Sequence, residues 1–194
     1  MKDNVYIIFG DSITYGLYDK KMCGWVNRFR QKLENISTNN FIVNLGIPGQ
    51  NSTNIKNRFE IELKNRYNNT DNFILIYAIG IKDSAIINKD LNHINIFKEN
   101  IKYIIDITKK YTNNIYFIGL IEPDYSKRKE YKKENVYLID DTLNQLCKNE
   151  EINYFQVRSL IKENLLVDGL HPNEKGHEIL ATKIFEEINE QMHV

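Results

Sequence analysis

The sequence predicts an α/β protein, a three-layer α/β/α arrangement built on a five-stranded parallel sheet. Three observations predict it. Short runs rich in Ile, Val, Phe and Tyr alternate with longer segments of helical periodicity. The runs are apolar at most positions rather than at every second residue, the pattern of strands covered on both faces. The first three runs each end on a glycine, Gly10, Gly46 and Gly80. Strict alternation of strand and helix implies right-handed crossovers and parallel pairing.

The strand runs are residues 5–9, 41–45, 73–79, 115–120 and 154–157. Helical segments occupy about 25–35, 53–67, 94–111 and 131–148, and a last one spans 174–192. In the third of these, Ile94, Phe97, Ile101, Ile104, Ile105 and Thr108 repeat at three and four residues and form one apolar face. Ile179, Leu180, Ile184 and Ile188 do the same in the last. Five strands with helices on both faces give a doubly wound, flavodoxin-like layout, in which ligands bind beyond the carboxyl ends of the strands.

Composition narrows the function classes. The 194 residues suit one domain, large enough to bury roughly 70% of its unfolded surface. Formal net charge is +0, which argues against nucleic acid as a partner; residues 127–133 are the one basic candidate patch. No run approaches the roughly 18 apolar residues of a membrane span, and the run at 5–9 is too short for a signal peptide. Cys23 and Cys147 have no metal-ligand spacing, so free thiols and a cytoplasmic location are expected.

The predicted strand ends carry the chemistry. Gly10-Asp11-Ser12 follows the first run, and Gly46-Ile47-Pro48-Gly49-Gln50-Asn51-Ser52 the second. Gly80-Ile81-Lys82-Asp83-Ser84 follows the third, and Glu122-Pro123-Asp124 the fourth. Asp168-Gly169-Leu170-His171-Pro172 comes after the fifth. Topology brings all five to one rim. A serine hydroxyl needs an imidazole to take its proton, and the imidazole needs a partner on its other nitrogen. Asp168 and His171 are spaced so that a tight turn can bring the carboxylate to Nδ1 and leave Nε2 for Ser12. Backbone N–H groups of Ser12 and Gly49 are placed to meet a developing oxyanion.

Gly10-Asp11-Ser12-Ile13 resembles the GDSL motif, and Asp168-Gly169-Leu170-His171-Pro172 resembles the DxxH motif of the same proteins. Asn44-Leu45-Gly46-Ile47-Pro48-Gly49 is similar to that family's second segment, whose last glycine donates an oxyanion N–H. The chain is thus identified as resembling the GDSL-type, SGNH-superfamily hydrolases along nearly its whole length, as a single domain of residues 1–194. The resemblance implies the SGNH hydrolase fold, a Ser-Asp-His triad of Ser12, Asp168 and His171, and no metal or cofactor. It implies hydrolysis of small-molecule acyl esters, with short acyl groups expected from the few short loops. An acyltransferase of the same mechanism is the alternative. No GxSxG elbow surrounds any serine, which disfavours an α/β-hydrolase.

One segment departs. The family's third segment is usually GxND, and its asparagine is the third oxyanion donor; here Lys82 holds that position. Three readings stand: Lys82 donates to the oxyanion, Lys82 and Asp83 pair with each other or elsewhere, or the chain is a catalytically weak binding relative. The retained triad favours an active enzyme over the binding relative and leaves the first two readings open. A cation there also favours a substrate with a carboxylate or phosphate near its acyl group. A third class, a cofactor or phosphate binder, would rest on the turn of residues 46–52.

Other residues are expected to be structural. Asp11 is expected to bond local amides, and Asn51 or Ser52 to cap the second helix beside Gln50. His93, His177 and His193 are read as non-catalytic. Trp25, Tyr15 and Tyr18 are read as core before pocket, and residues 124–135 as a solvated loop before a flap.

Overall fold

The computed structural model describes residues 2–87 and 90–192. Five strands, β1 (Asn4–Gly10), β2 (Asn40–Gly46), β3 (Asn72–Ala78), β4 (Ile115–Ile118) and β5 (Asn153–Phe155), pair in parallel in the order β2-β1-β3-β4-β5. The helices between them are α1 (Ser12–Tyr15), α2 (Trp25–Ile36), α3 (Ser52–Lys64), α4 (Ile81–Ile87), α5 (His93–Thr108) and α6 (Lys133–Asn149); α7 (Glu174–Met192) closes the fold. The strand order reverses direction at β1, and the carboxyl ends of β1 and β3 form the crevice there.

Alternation along each strand splits the core in two. Tyr6 and Ile8 of β1, Ile74 and Ile76 of β3, and Tyr116 and Ile118 of β4 meet Trp25, Phe29 and Leu33 of α2 and Leu180, Ile184 and Ile188 of α7. Ile7 and Phe9, Leu75 and Tyr77, and Ile115 and Phe117 point the other way, into α3, α5 and α6. Each helix presents its buried residues at three- and four-residue spacing, as in Phe97, Ile101, Ile104 and Ile105.

Three expectations are corrected. β2 is an edge strand, not covered on both faces: Phe41 is 49% exposed. The fourth strand stops at Ile118 rather than 120 because a side chain takes over the ladder, Leu120 N–H donating to Asp140 Oδ1 at 2.8 Å. α6 starts at Lys133, so Tyr131 lies in the turn before it, buried. Two short helices, α1 and α4, went unforeseen: four and seven residues are too few to show a helical period.

Candidate active site

Ser12 opens α1 directly beyond β1. Asp11 caps that helix, its Oδ1 accepting the Ile13 N–H at 2.8 Å. The hydroxyl of Ser12 lies 2.8 Å from Nε2 of His171, across 159 residues of sequence. Nδ1 of the same ring lies 2.9 Å from Asp168 Oδ2. Asp168 Oδ1 also accepts the backbone N–H groups of Leu170 at 3.1 Å and His171 at 2.9 Å, which closes the turn on its own carboxylate. Burial alone would raise the Asp168 carboxyl; the His171 and Leu170 N–H groups and the imidazole outweigh it and hold the group below its ordinary range. A short antiparallel bridge, Leu166 to Pro172, staples the base of this loop.

Gly169 shows why the loop needs a glycine. Its φ is +83°, and a Cβ would sit 2.9 Å from the Lys127 side chain. Residues 124–131 are folded against it: Asp124 N–H donates to Gly169 O at 2.8 Å, and Arg128 Nη1 donates to Asp168 Oδ2 at 3.2 Å. The segment read as a solvated loop is therefore a brace on the Asp168–His171 turn, with Tyr131 buried beneath it. Arg128 was not singled out in sequence, because nothing local marks a partner 40 residues away.

A second brace comes from α7. His177 Nδ1 accepts the Trp25 N–H at 3.2 Å, and its Nε2–H donates to Leu17 O at 3.0 Å. Burial lowers its pKa, as fits a ring that holds one neutral tautomer. Asp19 gathers the rest of that loop, accepting from Met22 and Gly24 N–H and from Arg28. Burial opposes its ionisation, yet the Arg28 guanidinium and the amides bring its pKa to about 2. The loop so held carries Tyr18, whose ring lies 5.5 Å from that of His171. Tyr15 and Tyr18 are 53% and 48% exposed, not core; Trp25 is core. His193 lies outside the described residues.

The two other candidate positions lie at the same rim without bonding the three residues above. Gly49 sits in the turn from Ile47 to Gln50, closed by Gln50 N–H to Ile47 O at 3.4 Å. Its φ of +83° at the third turn position is one that glycine alone adopts freely, and the space beside its Cα is open. Ile47 N–H donates to Gly10 O, which ties this turn to the end of β1. Asn51 caps α3 with Asn54 in a capping box, and Gln50 accepts from Arg58. Lys82 is half-buried in the first turn of α4, its ammonium 5.9 Å from the ring centre of Tyr131.

Lys82 does not pair with Asp83. That carboxylate, 0% exposed, accepts Ser52 N–H at 2.9 Å, Ser52 Oγ–H at 2.6 Å and His93 Nε2–H at 2.8 Å. Asn100 completes the cluster by donating to Ser52 Oγ at 3.0 Å. The cluster joins the N-termini of α3, α4 and α5, and no spacing in the sequence announced it.

Asp11 is 4% exposed and lines an otherwise apolar cavity of about 30 Å3 with Ile13, Trp25, Ile79 and Ile81. Burial pushes its carboxyl up to about 6, against the Ile13 N–H and the Lys82 ammonium, which act the other way. The folded protein therefore holds this proton more tightly than the unfolded chain. Stability from this group is full below about pH 4 and declines as pH rises through 6. Asp11→Asn keeps an acceptor for Ile13 and removes the charge. It should raise unfolding free energy by about 2–3 kcal/mol at pH 8 and change it little at pH 4. Urea unfolding at the two pH values measures this; an equal effect at both would count against it.

A serine, a histidine and an aspartate in one hydrogen-bonded row at the rim of a doubly wound sheet define a hydrolase-like site. The model of the GDSL-like lipase/acylhydrolase family matches residues 8–179, and the chain belongs to that family. It is an ester-hydrolysing enzyme by that membership. Solved structures of the same fold include the psychrotrophic esterase EstA from Pseudoalteromonas sp., with a TM-score of 0.79 at 15% identity, covering 99% of this chain and 100% of that one. They also include an acetylxylan esterase from Geobacillus stearothermophilus, with a TM-score of 0.75 at 16% identity over 97% and 95% of the two chains. A lipolytic G-D-S-L family member from Veillonella parvula has a TM-score of 0.77 at 17% identity over 94% and 97%. No curated protein matches the sequence. Among the described residues no helix is long and apolar enough to cross a membrane.

Proposed function

We propose that the chain is a serine esterase for short-chain acyl esters, working through an acyl-enzyme. His171, oriented by Asp168, takes the proton of Ser12 as Oγ attacks the ester carbonyl. The oxyanion is met by the N–H groups of Ser12 and Gly49. His171 then gives the proton to the departing alcohol. A water, deprotonated by His171, attacks the acyl-enzyme, and the acid leaves as Ser12 regains its proton. Asp168, held against His171, keeps the imidazolium of each step matched by a carboxylate.

The row from Ser12 through His171 to Asp168 carries this reading. An acetylxylan esterase among the solved structures of this fold supports a short acyl group. The two cysteines are unpaired, Cys23 exposed and Cys147 buried, which supports a cytoplasmic setting. An EstA structure is described as inhibited by monoethylphosphonate, so a phosphorus electrophile is the natural probe. A fluorophosphonate should add to Ser12 in intact-mass and peptide analysis, and labelling and loss of p-nitrophenyl acetate hydrolysis should advance together. Labelling elsewhere, or none, would leave a binding relative as the better reading.

A further inference from the structure

We propose that the ester accepted at this site carries an anionic group on its alcohol portion, and that the Lys82 ammonium binds it against the ring of Tyr131. The proposal rests on the esterase reading above and adds the substrate's charge.

The other strongly held cations near the core have their partners. Arg28 meets Asp19 and Glu178, Arg158 meets Asp140 and Asp141, and Arg128 meets Asp168 and Glu130. Arg58 donates to Gln50 Oε1 and Leu45 O. Lys82 differs. Among the described residues its ammonium has no carboxylate within 4.0 Å and no hydrogen-bond acceptor, only the Tyr131 ring at 5.9 Å. Its three N–H donors are therefore open to a ligand.

The position is at the reaction centre. β1 and β3 pair in register, with Gly10 opposite Ala78. Ser12 follows Gly10 by two residues and Lys82 follows Ala78 by four. The charge of Lys82 acts on Asp11, the residue before the nucleophile. Asp11 is a poor counter-ion, because its carboxylate is buried and already accepts from Ile13. Asp83, next in sequence, is filled by Ser52 and His93. Among the described residues this ammonium thus has no hydrogen-bond acceptor, and a ligand anion supplies one.

The side of the ester follows from position. Tyr131, whose ring the Lys82 ammonium faces, lies 6.0 Å from the Arg128 guanidinium, which donates to Asp168, the partner of His171. In the proposed mechanism His171 hands its proton to the departing alcohol, so the anion belongs to the alcohol. Tyr18, half-exposed beside His171, offers that alcohol an aromatic wall.

The test compares 4-acetoxybenzoate with its neutral isostere 4-acetoxybenzamide. The kcat/KM ratio of the two is measured for the wild type and for Lys82→Gln, Lys82→Arg and Lys82→Glu, each checked for folding by thermal melting. Comparing ratios between variants cancels the intrinsic reactivity of the two esters. The expected wild-type ratio favours the anion about tenfold over that of Lys82→Gln, shrinks in 0.5 M NaCl, is retained by Lys82→Arg and is lowest in Lys82→Glu. Equal ratios in wild type and Lys82→Gln overturn the proposal. If wild type hydrolyses neither ester faster than Ser12→Ala, the esterase reading fails, and binding decides separately. Calorimetric binding of 4-hydroxybenzoate, weakened at least fivefold by Lys82→Gln with 4-hydroxybenzamide unaffected, sustains the anion site; equal binding ends it.

Discussion

Ser12→Ala should lower kcat for p-nitrophenyl acetate by about 10⁴-fold or more, with KM changed little and the thermal midpoint within a few degrees of wild type. The size follows from what the hydroxyl does in the proposed mechanism. It is the atom that forms the acyl bond, and among the described residues no other hydroxyl is hydrogen-bonded to His171. What survives is water attack helped by the remaining oxyanion donors. The structural cost is small: one hydrogen bond, at 2.8 Å, is lost by an imidazole that lies at the rim and is still held by Asp168. Because Ser12 and His171 act as one unit in that mechanism, Ser12→Ala/His171→Ala should be no slower than either single variant. A double variant that multiplied the two losses would mean that the residues contribute independently. That is incompatible with proton transfer between them. Steady-state kinetics on the four proteins gives the answer.

The frame of the fold was legible because its signals are local. A largely apolar run followed by glycine marked β1, β2 and β3 to within a residue or so at each end, since a central strand writes its burial into nearly every position. The edge was not legible: the residues of β2 resemble those of a central strand, and only tertiary pairing leaves Phe41 uncovered. The same division runs through the site. Asp168 and His171 lie within one turn, so their contact could be read from spacing, and the serine from the strand that delivers it. The partners of those residues could not. Arg128 reaches Asp168, and Trp25 and Leu17 reach His177, through contacts across 40 to 160 residues with no periodic trace. Tyr18 was misread for a related reason. An aromatic near a helix start is usually core, but a positive φ of 68° at this residue turns it outward over His171.

Asp83→Ala should be the most damaging single change to stability outside the apolar core, about 3–5 kcal/mol, or a fall of roughly 10 °C in the thermal midpoint. The reason is the number of donors that one carboxylate satisfies. Ser52 N–H, Ser52 Oγ–H and His93 Nε2–H all end on it, and none of these residues is exposed by more than 5%. Alanine leaves them facing a void too small for ready rearrangement, and an unmet buried donor costs about 1–3 kcal/mol. Asp83→Asn should cost much less, because the site can adapt to it. With the amide nitrogen at the Oδ1 position, Ser52 Oγ turns from donor to acceptor. His93 then shifts its proton to Nδ1 and accepts through Nε2, while the amide oxygen still receives Ser52 N–H. Activity adds a second readout. The cluster fixes the N-terminus of α3, three residues after Gly49, and the turn of α4 that carries Lys82. Loss of alignment at one oxyanion donor is worth about 10²–10³ in rate, so kcat should fall in Asp83→Ala at temperatures where the variant remains folded, and recover most of the way in Asp83→Asn. If the two variants lost equal stability, the hydrogen-bond count would not be the cause. A charge requirement at Asp83, met by neither replacement, would then be the better account.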